Sequence, residues 1–111
     1  MEMQERKSGE VDVLELKGRL DASSAKNLKD KVQSLVDQQR VRLVMDMGGI
    51  DFIDSSGLGV LVSALRSTNK KGGDIKVAAI ADQIRAIFEL TRLHRIFEVF
   101  DTAEDAVSSF G

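Results

Sequence analysis

The sequence predicts an α/β domain with a mixed, mostly parallel β-sheet of about five strands covered by about four helices. Three observations lead there. Short apolar runs alternate with segments whose apolar residues recur at three- and four-residue steps. Turn-forming residues divide the chain at fairly even intervals, with no linker, repeat or low-complexity tract. A chain of 111 residues makes one domain, spanning 1–111, rather than two. At 12.2 kDa its folded surface should be roughly 6,000 Å², about a third of the unfolded value, which leaves enough burial for a core without staples.

The elements follow in order. Lys7-Ser8-Gly9-Glu10 reads as a hairpin turn between Met3–Arg6 and Val11–Lys17. Val11, Val13, Leu14 and Leu16 are apolar on both phases, as in a strand covered on both faces, and Gly18 is expected to end it. Ala25, Leu28, Val32, Leu35 and Val36 then mark one face of a helix. Val41–Met47 is a strand with Val41, Leu43, Met45 and Met47 on one face and Val44 on the other. Gly48–Ser56 reads as a loop. Leu58, Leu61, Val62 and Leu65 line the next helix, closed by Lys70-Lys71-Gly72-Gly73. Ile75–Ile80 is a buried strand. Asp82 opens a helix carrying Ile84, Ile87 and Phe88, and Ile96–Phe100 is a last short strand. Asp101 and Glu104 suggest a capping box for a final helix lined by Ala103, Ala106, Val107 and Phe110.

Right-handed crossovers between parallel strands bring their carboxyl ends to one edge of the sheet. Gly18–Ser24, Gly48–Ser56 and Ala81–Asp82 should therefore meet, at the edge where open α/β sheets place their sites. The most unusual local sequence, Asp54-Ser55-Ser56-Gly57-Leu58-Gly59, lies there.

Composition removes several kinds of chemistry. The chain has no Cys, which excludes disulfides, thiolate metal sites and thiol catalysis. With 16 Lys and Arg against 18 Asp and Glu, and no Trp or Tyr, it offers neither a basic footprint nor stacking platforms for nucleic acid. No apolar run approaches the roughly 20 residues of a membrane span, and Met1–Glu10 has no signal-peptide character. The expectation is a cytoplasmic protein, a monomer when free, without a cofactor or metal.

Motif by motif, enzymatic readings fare poorly. Neither Ser55 nor Ser56 has the flanking glycines of a nucleophile elbow. The single His, His94, sits between charged neighbours in a polar connection and reads as a solvated loop residue. Gly57-Leu58-Gly59 lacks the third glycine of a dinucleotide fingerprint, and no P-loop is present. Asp46, Asp51 and Asp54 form a loose acidic group that could hold Mg²⁺, at a spacing that is not diagnostic. A phospho-aspartate receiver fails for want of its acidic pair and its lysine. Lys26, Lys29, Asp30 and Lys31 read as a solvated face.

Two readings of the Ser pair are compatible. Asp54, Ser55 or Ser56 caps the helix that follows. One Ser can also accept a phosphate, because a helix N-terminus tolerates negative charge, with some repulsion from Asp51 and Asp54.

Asp54-Ser55-Ser56-Gly57-Leu58-Gly59-Val60-Leu61 resembles the signature of STAS domains, named for sulfate transporters and anti-sigma factor antagonists. Within that family it is most similar to the free-standing bacterial anti-sigma factor antagonists. Leu16–Asp21, Leu43–Asp46, Lys71–Val77 and Ile96–Asp101 match further family segments in the same order, so the resemblance covers nearly the whole chain. It departs from the family at Gly48-Gly49, where many relatives carry bulkier residues, and at Ala81-Asp82, which lacks their Pro. The resemblance implies a STAS-like single domain and a non-enzymatic switch. It implies binding to an anti-sigma factor serine kinase when unphosphorylated, release of the sigma factor, inactivation by phosphorylation at Ser55, and restoration by a PP2C-type phosphatase. Asp21, Asp54, Ser56, Gly57, Leu58 and Gly59 would border the contact. The alternative it leaves open is an adaptor role in a stress-sensing, lipid-transport or secretion-regulating assembly.

Overall fold

The structure, a computed structural model, describes residues 1–111. Five strands and four helices alternate: β1 (Glu2–Ser8), β2 (Val11–Leu20), α1 (Ala25–Asp37), β3 (Arg42–Ile53), α2 (Ser55–Lys70), β4 (Asp74–Ala78), α3 (Asp82–Leu90), β5 (Val99–Phe100) and α4 (Ala103–Ser109). A 3₁₀ turn, Leu93–Arg95, lies between α3 and β5. The sheet order is β1-β2-β3-β4-β5, with β1 antiparallel to β2 and every other pair parallel. The accessible surface is 5957 Å², matching the value expected from mass.

Two cores flank the sheet, because β2 and β3 are apolar on both phases. Leu14, Leu16, Leu43, Met45 and Met47 pack with Leu28, Val32 and Leu35 of α1, Leu61 and Leu65 of α2, and Ile84 and Phe88 of α3. On the other face Val11, Val13 and Val44 meet Ala103 and Ala106 of α4. The strand faces and helical stripes expected from periodicity are thus the ones that face the cores, most of their residues buried and Ala25, Val41, Leu58, Val62, Ile87, Val107 and Phe110 half-buried at the margins.

Several boundaries differ. Gly18 does not end its strand: β2 continues to Leu20, and Gly18, at φ +104, precedes a register shift in which Gly18 faces Ile50 and Arg19 faces Phe52, leaving Asp51 of β3 as the extra residue. Most of the expected loop Gly48–Ser56 is strand, since β3 pairs with β2 as far as Ile53. A Cβ on Gly49 would sit 2.9 Å from the Leu16 carbonyl oxygen, so this glycine permits the two backbones to approach. β4 stops at Ala78, short of Ile80, because Ala79 turns to φ +63 while its N–H donates to the Phe100 carbonyl at 2.9 Å. β5 begins at Val99, because Ile96 closes the 3₁₀ turn. The final helix is capped not by an Asp101–Glu104 box but by Thr102, whose Oγ1 accepts from Asp105 N–H at 3.1 Å.

Lys31, expected to be solvated with its neighbours, instead pairs with Glu5 of β1. Arg40 also reaches Glu5, at 3.3 Å, and donates through Nε, at 3.2 Å, and Nη2 to the wholly buried Asp12 carboxylate. A buried carboxylate needs such a partner. The cluster ties the edge strand β1 to α1 and to the turn before β3.

Ala79 is a testable source of strain. Non-glycine residues in the left-handed region cost about 1 kcal/mol. Ala79→Gly is expected to raise stability by about that amount in urea denaturation; an unchanged or lower midpoint would contradict the assignment.

Candidate functional site

The carboxyl ends of β2 and β3 converge as the crossover argument requires. Arg19 lies opposite Phe52 and Leu20 opposite Ile53. Asp54 N–H donates to the Leu20 carbonyl at 3.3 Å, which fixes the start of α2 against the end of β2. Asp21 and Ser55 each lie one residue beyond that bond.

Asp54 is the N-cap of α2. Its backbone is extended, and Oδ1 accepts from Gly57 N–H at 2.9 Å. Of the three candidates for the cap, Asp54 takes the role, which leaves both serine hydroxyls without it. Ser55 and Ser56 are the first two helical residues, and both are exposed. Their N–H groups belong to the first turn, which has no intrahelical acceptors.

Gly57 is buried, and a Cβ there would stand 2.3 Å from the Leu20 carbonyl oxygen and 2.9 Å from Ile53 Cγ1. The close approach it permits is to the chain itself. Gly59, by contrast, is exposed with open space around it. Leu58 is half-buried and helps line a groove with Val62, Arg66, Thr91 and Leu93.

The turn from β2 into α1 is built around Asp21. Its Oδ1 accepts from Ser23 N–H at 3.0 Å and Ser23 Oγ at 2.6 Å, and its Oδ2 from Arg19 Nε at 3.5 Å. Ser24 precedes α1, but its hydroxyl donates to the Arg19 carbonyl at 2.8 Å instead of capping the helix. The Ser23 hydroxyl foremost, with the Ser23 amide and Arg19, holds the Asp21 carboxyl below its ordinary value of 3.8. A group depressed in the folded state adds stability above its ordinary pKa, and that stability is lost as pH falls through the folded value. Carboxyl NMR should accordingly place the Asp21 midpoint below 3.8, with Ser23→Ala moving it upward. A normal midpoint would mean the turn is not formed.

The acidic trio does not assemble. No group of three His, Asp or Glu side chains converges anywhere in the chain. Asp46 Oδ1 accepts from Gly48 N–H at 3.1 Å, and Asp54 is spent on its cap. His94 is exposed, its Nδ1 lying 3.3 Å from the Phe88 carbonyl. No helix is long and apolar enough to cross a membrane.

Two residues at this edge escaped sequence reasoning. The Arg19 guanidinium lies 3.8 Å over the Phe52 ring, and Phe52 is one of only three large apolar side chains left exposed. They are 33 positions apart, so no local pattern joins them. The one available signal was an arginine inside a segment otherwise matched to the family.

The family model described as the STAS domain matches residues 2–106. An anti-sigma-B factor antagonist of Listeria monocytogenes is 27% identical over 99 residues, covering 89% of this chain and 86% of that protein. A crystal structure of an anti-sigma factor antagonist from Mycobacterium paratuberculosis superposes with a TM-score of 0.87 at 25% identity, over 97% of this chain and 92% of the other. The Bacillus cell fate determinant SpoIIAA in its phosphorylated form superposes at 0.78 with 21% identity, over 99% and 100% of the two chains, a likeness of fold.

Proposed function

Since this chain belongs to the STAS domain family, we propose that it is an anti-sigma factor antagonist switched by phosphorylation of Ser55. Unmodified, it engages an anti-sigma factor serine kinase and so frees the sigma factor. Phosphorylation by that kinase ends the contact, and a PP2C-type phosphatase restores it. The protein itself catalyses nothing in this cycle; its own part is to present one hydroxyl and the surface around it.

The observation that carries this reading is the division of labour at the start of α2. Asp54 supplies the cap, so the neighbouring Ser55 hydroxyl is exposed and structurally unemployed. A phosphate there gains the positive end of the helix dipole and needs no rearrangement of the core. Asp21, just past the end of β2, and Ser56, Leu58 and Gly59, in the first turns of α2, are the residues from which a kinase-covered surface would be built, while Gly57 sets the pose of that turn from beneath. The relatives named as anti-sigma factor antagonists support the partner class.

The test is incubation of the full chain with its cognate kinase and ATP. Intact-mass analysis should show one added phosphate, fragmentation should place it on Ser55, and Ser55→Ala should accept none. Modification at another residue, or none with the genuine partner, would overturn the proposal.

A further inference from the structure

Arg19 is a cation at the carboxyl end of β2, the strand end against which α2 starts, and the way it is held points to a use. Its guanidinium is kept over the Phe52 ring, while its bond to Asp21 is single and long, at 3.5 Å between exposed groups. An exposed pair of that kind contributes little and breaks easily. A phosphate offers a guanidinium two parallel acceptors and up to twice the charge of a carboxylate.

Position favours the exchange. Adjacent strands lie about 4.8 Å apart; Arg19 is in register with Phe52, and the Leu20 carbonyl holds Asp54 N–H next to Ser55. The stack on Phe52, three residues before Ser55, keeps the guanidinium at this edge whether or not Asp21 holds it. The other charged groups there are the carboxylates of Asp21, Asp51 and Asp54, all repulsive to a phosphate. On α1, packed against α2, Lys26 and Lys29 border a groove with Gly59 and Ser63, further along α2; Lys26 is paired with Asp30 at 2.7 Å.

We propose that Arg19 is the intramolecular counter-ion of a phosphate on Ser55, passing from Asp21 to the phosphate on modification while Phe52 holds it in place. This rests on the reading of Ser55 as the acceptor and adds a residue that stabilises the modified state and releases Asp21 in it. No bond is made or broken beyond ion pairs and hydrogen bonds.

The experiment uses the full chain with phosphoserine installed at position 55 during translation, so that it does not depend on any kinase. ³¹P NMR titration gives the second pKa of the phosphate. A nearby cation favours the dianion and lowers that pKa. Arg19→Ala should therefore raise it by about 0.5 unit, an amount typical of one exposed pair. Arg19→Lys should restore part of the shift, and Lys26→Ala should leave it unchanged. The Arg19 Nε–H resonance should move on phosphorylation in the wild-type chain. Equal phosphate pKa values in wild type and Arg19→Ala, both folded by circular dichroism, would overturn the inference. A kinase that modifies some other residue would instead defeat the functional reading, and the titration would still decide the role of Arg19.

Discussion

Phosphorylation of Ser55 is expected to weaken binding to the cognate anti-sigma factor kinase by about 100-fold or more, with Ser55→Asp losing about tenfold and Ser55→Ala staying within about threefold of wild type. The modification adds about −1.5 to −2 charges to a chain whose net charge is −2. At Ser55 that charge arrives next to Asp54 and at the sheet edge that also carries Asp21 and Asp51, at the centre of the proposed contact. A hundredfold loss corresponds to about 2.7 kcal/mol, which is less than burial of one uncompensated ion costs. Aspartate supplies about half the charge and lacks the third acceptor oxygen, hence its smaller effect. The domain should be indifferent. Ser55 is exposed and takes no part in the cap, so the melting temperatures of all forms should agree within a few degrees. Calorimetric titration of the kinase with each form reads the affinities directly. Equal affinities for the Asp and Ala variants would remove Ser55 from the interface. A large drop in melting temperature would mean instead that the switch works through the fold.

Gly57→Ala is expected to destabilise the protein by about 2–3 kcal/mol, although Gly57 lies inside a helix where helix propensity alone favours alanine by about 1 kcal/mol. The added Cβ would lie 2.3 Å from the Leu20 carbonyl oxygen and 2.9 Å from two side-chain carbons. Relief requires α2 to move away from β2, at the typical cost of overpacking. That carbonyl also accepts from Asp54 N–H, so the movement would strain the cap and shift Ser55 relative to Asp21. Gly59→Ala, two residues on, meets nothing within 4 Å. It should follow propensity and stabilise by about 0.5–1 kcal/mol. Urea denaturation of the two variants should show midpoints moving in opposite directions. If both rise, the close contact between α2 and β2 is wrong. The comparison also separates two meanings of glycine in the signature: one is required by packing inside the chain, the other leaves space at the surface.

These glycines show where the sequence ran out. The apolar stripes of α1, α2 and α3, and the two-phase apolar pattern of β2, identified helices, strands and two-sided burial, because side-chain periodicity is a direct record of which face leaves water. Gly48 and Gly49 carry no such record. They read as loop, yet the backbone ladder with β2 continues through them to Ile53, since ladder hydrogen bonds need no side chain. The Asp101–Glu104 box was a reasonable local pattern displaced by one residue, since Thr102 takes the capping geometry. The candidate site divides along the same line. Asp54 through Gly59 and Asp21 stood out as residues, while the pairing of Arg19 with Phe52 and the assignment of the cap to Asp54 did not.

What the sequence determined by itself was the class of fold, the order of its elements, and a candidate segment, Asp54–Gly59, at the carboxyl edge of the sheet. Periodicity, turn residues and the handedness of crossovers are local or nearly local rules, and they act wherever the residues occur. Only the tertiary structure decided which oxygen caps α2, which glycine is filled from beneath, and that an arginine of β2 lies across a phenylalanine of β3. Those outcomes depend on the register between two strands whose paired residues are 33 positions apart and on contacts of a few ångströms. A one-residue slip in that register would part Arg19 from Phe52 and Leu20 from Gly57 while leaving the hydrophobic pattern of each segment as it is written.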